Sequence, residues 1–243
     1  MVQRHNGRAA HYTLLLVVGA CLFLVNLGGP SLWDVDEGRN GTCSGEMRES
    51  GNWIIPTFNS VLRSHKPALL YWLQATAYSV FGVNEFSARL PSALAALLTL
   101  LLVYEIGRLL FGAAVGLLAG VILASTAMFC ASAHFANPDA LLNFSVALTL
   151  FFFCRGYVRG NNRWFVPAGA AAGLAMLAKG PSGVVLPGAV VLLFLAWSRR
   201  LTLLLDRRLL LGLLAFVLVG LPWYVWVGVD TKWQFLKEFF LTH

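Results

Sequence analysis

Long apolar runs separated by short polar stretches dominate this chain. A membrane-crossing helix takes about 20 residues, and seven runs are close to that length. These runs are 13–29, 88–107, 113–133, 140–157, 164–178, 181–197 and 209–228. An eighth run, 68–82, is apolar and rich in aromatic residues. The pattern predicts an all-α polytopic membrane protein with about seven transmembrane helices.

The distribution of arginine decides whether the run 68–82 crosses the membrane, because Lys and Arg collect in cytoplasmic loops. If this run lies in the interface, one side of the membrane carries ten arginines against Glu105 and Asp206 alone. The ten are Arg4, Arg8, Arg108, Arg155, Arg159, Arg163, Arg199, Arg200, Arg207 and Arg208. We therefore predict an interfacial helix at 68–82 in the first outer loop, a cytoplasmic N-terminus and an outer C-terminus.

A helix breaker divides the apolar stretch between Arg163 and Arg199. Cations flank both ends, so the stretch crosses twice or not at all, and its length exceeds one helix. Lys179-Gly180-Pro181 supplies the break. We predict a helical hairpin whose tip faces outward.

Composition narrows the class of protein. The chain has 58% hydrophobic and 12% charged residues and a mean hydropathy of +0.71, whereas soluble domains have about 25% charged residues. A soluble enzyme and a disordered chain are both excluded. The net charge of +7 follows from the loop arginines, so no nucleic-acid partner is predicted.

Common nucleotide and zinc-protease motifs are absent from the sequence. It contains no GxxxxGK[ST], no GxGxxG and no HExxH. Three of the four cysteines lie inside apolar runs, so no disulfide framework or cysteine metal cluster is predicted.

The outer loop between the first run and residue 88 interleaves acids and bases. For most of them we favour a solvated loop whose charges pair with one another. This interpretation covers Glu46, Arg48, Glu49 and Arg63.

Asp36 and Glu37 differ from those loop charges because Asp139, Lys179 and Arg89 lie on the same predicted membrane face. Charges at bilayer boundaries are costly and often functional. Cations can hold a lipid phosphate while a carboxylate deprotonates an incoming hydroxyl. The pattern therefore favours chemistry on a lipid-phosphate substrate.

Several strings resemble a known family in their order and spacing. They are DVDEGRN, GEMRESGNWIIP, HKPALLYWLQATAYSVFGVNEFSARLPSAL, ANPDALL, LAKGPSGVVLP and LPWYVWVGV. The chain resembles the protein mannosyltransferase superfamily from about Trp33 to its end, and is closest to the bacterial branch that includes aminoarabinose lipid A transferase. The resemblance implies a polyprenyl-phosphate sugar donor and an acidic motif in the first outer loop.

The resemblance also implies roles for individual residues. Asp36 matches the loop acid and is the predicted general base, with Glu37 and Asp139 supporting or orienting it. The resemblance assigns Arg39, Lys66 and Lys179 to substrate binding. Their predicted position at the same membrane face adds Arg89 and the interfacial aromatic residues Tyr71 and Trp72. His65 stands where the aminoarabinose branch often has the Glu of its metal site, so no metal and no cofactor is predicted.

The predicted function is inverting sugar transfer, on the outer face of the cell membrane, to a lipid, glycan or protein acceptor, with membrane lipids as further partners. The alternatives are a non-catalytic or truncated protein that binds a lipid-phosphate sugar, and a transporter. Family members are about twice as long, so we expect a fragment or a truncated relative. Four segments are predicted: a signal-anchor span 1–29, an outer catalytic loop 30–87, a transmembrane bundle 88–228 and an outer segment 229–243.

Overall fold

The computed structural model describes residues 3–241, and most of that range is helical. The α-helices of the described range are α1 (Gln3–Phe23), α2 (Arg39–Ser50), α3 (Leu69–Phe81), α4 (Glu85–Phe111), α5 (Ala113–Ser125), α6 (Ala127–Ala133), α7 (Asp139–Arg159), α8 (Phe165–Lys179), α9 (Ser182–Trp197), α10 (Arg207–Gly220), α11 (Pro222–Asp230) and α12 (Gln234–Leu241). Each predicted run is largely helical, which confirms the all-α fold class.

Short elements fill the connections. A π-helical turn covers Asp34–Gly38, and 3₁₀ turns cover Asn162–Trp164 and Leu201–Leu205. A two-stranded antiparallel hairpin, β1 (Thr57–Phe58) and β2 (Val61–Leu62), pairs Thr57 with Leu62 and Phe58 with Val61. This hairpin is an addition to the helices predicted for the first outer loop.

Three helical stretches are long and apolar enough to cross a bilayer: Glu85–Phe111, Asp139–Arg159 and Arg207–Asp230. The pair α5 and α6, bent by 71°, adds a fourth if it is one span. Shorter apolar helices cover Gly7–Phe23 and Ser182–Trp197. The chain is therefore a polytopic membrane protein, as predicted, although fewer helices pass this length test than the seven expected spans.

The run 113–133 is broken at Thr126. The backbone there is extended, with φ −74° and ψ 116°. The hydroxyls of Ser125 and Thr126 both donate to the carbonyl oxygen of Ile122, at 2.9 and 3.0 Å. Side chains that bond to the preceding turn compete with the helical backbone, which accounts for a bend that hydropathy does not reveal.

Small residues let the later helices approach closely. Gly169 of α8 faces Gly212 of α10, and a Cβ on Gly169 would overlap the Gly212 carbonyl group. The α8–α10 contact therefore depends on glycine, as close helix contacts in membranes commonly do.

The predicted break in the α8–α9 hairpin is confirmed. Gly180 has φ +71°, a conformation that side chains rarely adopt, and the ring of Phe239 occupies the space where a Cβ would lie. Gly180 thus turns the chain immediately after Lys179 and allows α12 to pack on the tip. The membrane side that the tip faces stays a prediction.

Candidate functional site

The π-helical turn Asp34–Gly38 carries the acidic pair. The backbone N–H of Gly38 donates to the carbonyl oxygen of Trp33 at 3.1 Å, an i to i+5 bond. Such turns are rare and occur frequently at functional sites. The turn leaves Asp36 exposed and Glu37 buried, so two adjacent acids meet different surroundings.

Glu37 is 1% exposed and accepts four hydrogen bonds. Two come from the Arg89 guanidinium, Nε to Oε1 at 2.9 Å and Nη2 to Oε2 at 2.8 Å. The other two come from the backbone N–H groups of Trp33 at 2.8 Å and Ala136 at 2.6 Å. A buried carboxylate with this many donors is a fully satisfied structural anion.

Arg89 is 4% exposed and uses all five of its N–H donors. Besides Glu37, it donates to the carbonyl oxygens of Leu27 at 3.0 Å, Pro30 at 2.7 Å and Ser31 at 3.0 Å. No donor is left for a phosphate group. Arg89 therefore holds the segment that leads from α1 into the acidic turn.

The surroundings of Glu37 also set its protonation state. Burial raises the pKa of Glu37, but the hydrogen bonds from Arg89, Trp33 and Ala136 outweigh burial and hold the pKa below its ordinary value. Glu37 is therefore ionised at neutral pH, and it lacks a free face on which to accept a proton from a substrate.

The loop 134–138 is held by side chains of the loop 30–87 and of α4. The N–H of Ala136 donates to Glu37, while its carbonyl oxygen accepts from Asn40 Nδ2 at 3.0 Å. The carbonyl oxygen of Asn137 accepts from Ser92 Oγ at 3.2 Å. The two loops are thereby locked together, and with them the residues on either side, Asp36 and Asp139.

Asp36 and Asp139 line one cavity of about 310 Å³. Its other lining residues are Trp33, Met128, Ala131, Ser132, Phe135 and Asn137. The cavity combines two carboxylates with apolar and aromatic walls, a composition common in small-molecule sites.

Lys179 does not line this cavity itself, but it contacts Asp139, which does. Its ammonium forms an ion pair with Asp139 Oδ1, although the two residues are 40 positions apart. The Lys179 side chain is 36% exposed and the Asp139 side chain 44%, so both remain accessible. An ammonium has three donors, and one contact to Asp139 leaves others for a ligand.

Two aromatic residues predicted to bind substrate occupy packing positions. Tyr71 is fully buried in a cluster with Cys43 and Met47. Trp72 donates its indole N–H to the carbonyl oxygen of Trp53 at 2.6 Å and meets the Trp223 ring edge to face. These contacts fix α3 against its neighbours, and neither residue lines the Asp36–Asp139 cavity.

Arg39 and Lys66 also lie outside that cavity. Arg39 is exposed and lines a separate cavity of about 340 Å³ with Val35, Gly38, Thr42 and Phe58. Lys66 is half-buried, and no carboxylate of residues 3–241 lies within ion-pair distance of it. Their roles in substrate binding stay predictions.

The interpretation of Arg63 as a solvated loop charge is wrong. It is 7% exposed, donates to Asn40 Oδ1 at 3.2 Å and places its guanidinium 5.8 Å from the centre of the Phe58 ring. Arg63 thus supports Asn40, which in turn holds Ala136. Sequence reasoning missed both residues; the one available signal was the i, i+3 spacing of Glu37 and Asn40.

Glu46 is likewise not a free loop charge. It accepts from the Thr57 hydroxyl and from the backbone N–H groups of Asn59 at 2.7 Å and Ser60 at 3.3 Å. Asn59 and Ser60 both have positive φ, at 52° and 62°. Glu46 therefore stabilises the tight turn between β1 and β2.

Within 3–241, no group of three or more His, Cys, Asp or Glu side chains is arranged to hold a metal ion. Burial raises the pKa of the Cys43 thiol to about 11, so this cysteine is a neutral core residue at physiological pH.

Comparison with known proteins connects this geometry to a family. Residues 65–226 match the family described as dolichyl-phosphate-mannose-protein mannosyltransferase. The chain is 33% identical, over 89% of its length, to the undecaprenyl phosphate-alpha-4-amino-4-deoxy-L-arabinose arabinosyl transferase of Pseudomonas aeruginosa, and it covers 40% of that protein. The chain spans about 40% of the length of the curated relatives that it matches.

Two solved structures have the same fold. The crystal structure of ArnT from Cupriavidus metallidurans bound to undecaprenyl phosphate aligns with a TM-score of 0.85 at 31% identity, covering 94% of this chain and 43% of ArnT. The apo structure aligns with a TM-score of 0.87 at 30% identity, covering 98% and 45%. The described helices thus correspond to less than half of ArnT.

Proposed function

The chain belongs to the dolichyl-phosphate-mannose-protein mannosyltransferase family, and we propose that it carries the donor site of a membrane glycosyltransferase. The donor is a polyprenyl-phosphate sugar. The likeness to an arabinosyl transferase that is named for undecaprenyl phosphate supports this donor class. The likeness to ArnT with undecaprenyl phosphate bound supports it independently.

The observation that carries the proposal is the shared cavity of Asp36 and Asp139, with Lys179 paired to Asp139. A lipid-phosphate sugar needs a cation near the phosphate and a base near the anomeric carbon. The cavity offers the exposed carboxylate of Asp36, and the accessible ammonium of Lys179, at the end of α8, contacts Asp139 of the same cavity. This arrangement suits a donor that lies between the carboxylate and the ammonium.

The proposed reaction is a direct displacement. The acceptor hydroxyl gives its proton to the Asp36 carboxylate while its oxygen forms a bond to the anomeric carbon. The bond between that carbon and the phosphate oxygen breaks, and the phosphate leaves with the electron pair. Lys179 donates to the phosphate, and Asp139 holds the Lys179 ammonium in place. Attack opposite to the leaving group inverts the anomeric configuration.

We place this reaction on the outer face of the cell membrane, with the N-terminus cytoplasmic. The arginine distribution supports that orientation. The acceptor class is a lipid, glycan or protein with an accessible hydroxyl.

The test is an assay of the purified chain in lipid nanodiscs with a polyprenyl-phosphate sugar and, as control, the sugar-free polyprenyl phosphate. We expect release of polyprenyl phosphate that depends on an added acceptor, and a product with inverted configuration by NMR. Binding of the donor without release would favour the non-catalytic alternative, in which the chain only holds the lipid-phosphate sugar. Absence of both binding and release would overturn the proposal.

A further inference from the structure

A dense set of arginines lies where α7, α8, α9 and α10 approach one another at the end opposite to Lys179. This arginine-rich end contains Arg155, Arg159, Arg163, Arg199, Arg200, Arg207 and Arg208. Its one carboxylate, Asp206, accepts from Asn162 Nδ2 and from the N–H of Arg208, both at 2.8 Å. Within residues 3–241 none of the seven arginines forms an ion pair.

Two of these guanidiniums rest on aromatic rings. Arg155 lies 4.4 Å from the centre of the Trp164 ring, and Arg200 lies 5.6 Å from that of Tyr157. The Arg155 Nε is buried and has no hydrogen-bond partner among the described residues. The rings fix the two cations in place and leave their remaining donors free, which is the condition for capturing an anion.

Two apolar cavities lie on either side of α9, and the Tyr157 ring beneath Arg200 lines one of them. One, of about 250 Å³, lies between α7 and α9 and includes Tyr157 and Phe194. The other, of about 350 Å³, lies between α8, α9 and α10, and Leu204 and Leu209 contribute to it. Phe153 lines both cavities, so they lie side by side.

We propose that the arginine-rich end binds one anionic diacyl phospholipid, with an acyl chain in each cavity and the phosphate headgroup between Arg155 and Arg200. A zwitterionic lipid such as phosphatidylcholine would also fill the apolar cavities, but the ammonium of its headgroup offsets its phosphate, so it brings the two guanidiniums no net counter-charge. Basic sites between transmembrane helices recognise anionic lipids by this combination of chain burial and charge. The proposal is independent of the sugar-transfer chemistry.

The test measures binding of phosphatidylglycerol and phosphatidylcholine to the detergent-purified chain by native mass spectrometry. Each cation near an anionic lipid changes affinity by about fivefold. We expect the double variant Arg155→Gln/Arg200→Gln to weaken phosphatidylglycerol about 25-fold and to leave phosphatidylcholine unchanged. Arg200→Gln alone, at an exposed position that folding tolerates, should weaken it about fivefold.

A matched double variant separates a built site from diffuse surface charge. Arg159→Gln/Arg207→Gln removes the same charge from two exposed arginines whose guanidiniums lie over no ring in the described range. We expect a change of less than about twofold in phosphatidylglycerol affinity. An equal loss in both double variants would overturn the proposal, as would equal affinity of the unmodified chain for the two lipids.

A third variant tests whether an acyl chain occupies the larger cavity, and it leaves the charge of the protein unchanged. Gly188 lines the larger cavity, and a Cβ atom there would meet no atom within 4 Å. Gly188→Leu fills that space and favours helix, so folding is preserved. We expect weaker phosphatidylglycerol binding than in the unmodified chain. Unchanged binding would show that the arginines capture a phosphate group alone, and the diacyl site would be refuted.

Discussion

The two ends of the helical bundle differ in how their charges are paired. At the outer-loop end, Glu37 forms an ion pair with Arg89 at 2.8 Å, and Lys179 forms one with Asp139. The arginine-rich end has seven arginines, and none of them forms an ion pair within residues 3–241. The outer-loop end comprises the loops 30–87 and 134–138 and the α8–α9 tip. There, the buried charges of Glu37 and Arg89 are paired with each other, as burial requires. At the other end the described residues supply no carboxylate partner, and the proposed partner is an anionic lipid.

The outer-loop end is itself divided between two adjacent acids. Glu37 is enclosed by four donors, while Asp36 beside it is exposed and lines the cavity. A satisfied carboxylate holds structure, and an accessible one can take a proton. The comparison therefore predicts that variants of the two neighbours affect different quantities.

Asp36→Asn should have the largest effect, and it should act on activity alone. Removal of a general base lowers turnover by a factor of about 10² to 10⁴. Because Asp36 is exposed, the unfolding free energy should change by less than about 0.5 kcal/mol. Turnover by the nanodisc-embedded chain and thermal unfolding are the two measurements. A stability loss with intact turnover would reverse the roles of Asp36 and Glu37.

Glu37→Gln should act mainly on stability. Breaking one side of a buried ion pair costs about 3–5 kcal/mol, because Arg89 keeps its charge without a counter-charge. The loss should appear in denaturant unfolding of the detergent-solubilised chain. Glu49→Gln is the matched control, since Glu49 is exposed on the following helix and should cost less than about 0.5 kcal/mol. Equal costs in the two variants would disprove the structural assignment of Glu37.

The pH dependence of stability gives a further test of Glu37. Its pKa is lower in the folded chain than the unfolded value of about 4.3. The stabilisation is therefore complete above the unfolded pKa and is lost as the pH falls through the folded pKa. Unfolding measured between pH 7 and pH 3 should show a steeper loss for the unmodified chain than for Glu37→Gln. Parallel curves would mean that Glu37 does not contribute to acid sensitivity.

Lys179→Gln should have an intermediate effect, confined to donor affinity. A hydrogen bond to a charged group contributes about 1.5–3 kcal/mol, so loss of the ammonium should weaken binding of a polyprenyl-phosphate sugar by that amount. Gln keeps a polar contact to Asp139, and Lys179→Arg should retain affinity. The unphosphorylated prenol is the control ligand. If Lys179→Gln weakens binding of the phosphorylated and unphosphorylated ligands equally, Lys179 only extends to the headgroup region and does not contact the phosphate.

Sequence reasoning predicted the helices well because hydropathy and glycine directly determine them. The runs 88–107 and 140–157 lie within α4 and α7, and the α8–α9 break falls at Gly180. It also selected Asp36 and Asp139, which line one cavity, and Lys179, which forms an ion pair with Asp139.

Pairing could not be predicted from the sequence, because it depends on how distant segments meet. Glu37 and Arg89 are 52 positions apart, and Arg63 reaches Asn40 from the far side of the β-hairpin. Nothing local distinguishes a buried Arg63 from an exposed Arg48. Likewise, the Thr126 bend depends on two hydroxyl groups in a stretch whose hydropathy is uniform.

The smallest effect should come from the arginine-rich end, and it tests the comparison from the opposite side. Arg200 is exposed and unpaired, so Arg200→Gln should change the unfolding free energy in detergent by less than about 0.5 kcal/mol.

Arg108 provides the contrast: its guanidinium donates to both carboxylate oxygens of Glu105, at 3.1 and 2.6 Å. Arg108→Gln should cost about 1 kcal/mol, since Glu105 retains Arg8 and Tyr12 as donors. Both arginines belong to the set predicted to face the cytoplasm, so charge alone does not separate them. If both variants cost the same in detergent, pairing within the chain does not distinguish these arginines. If Arg200→Gln is neutral in detergent and destabilising only with phosphatidylglycerol present, the missing partner of that arginine is the lipid.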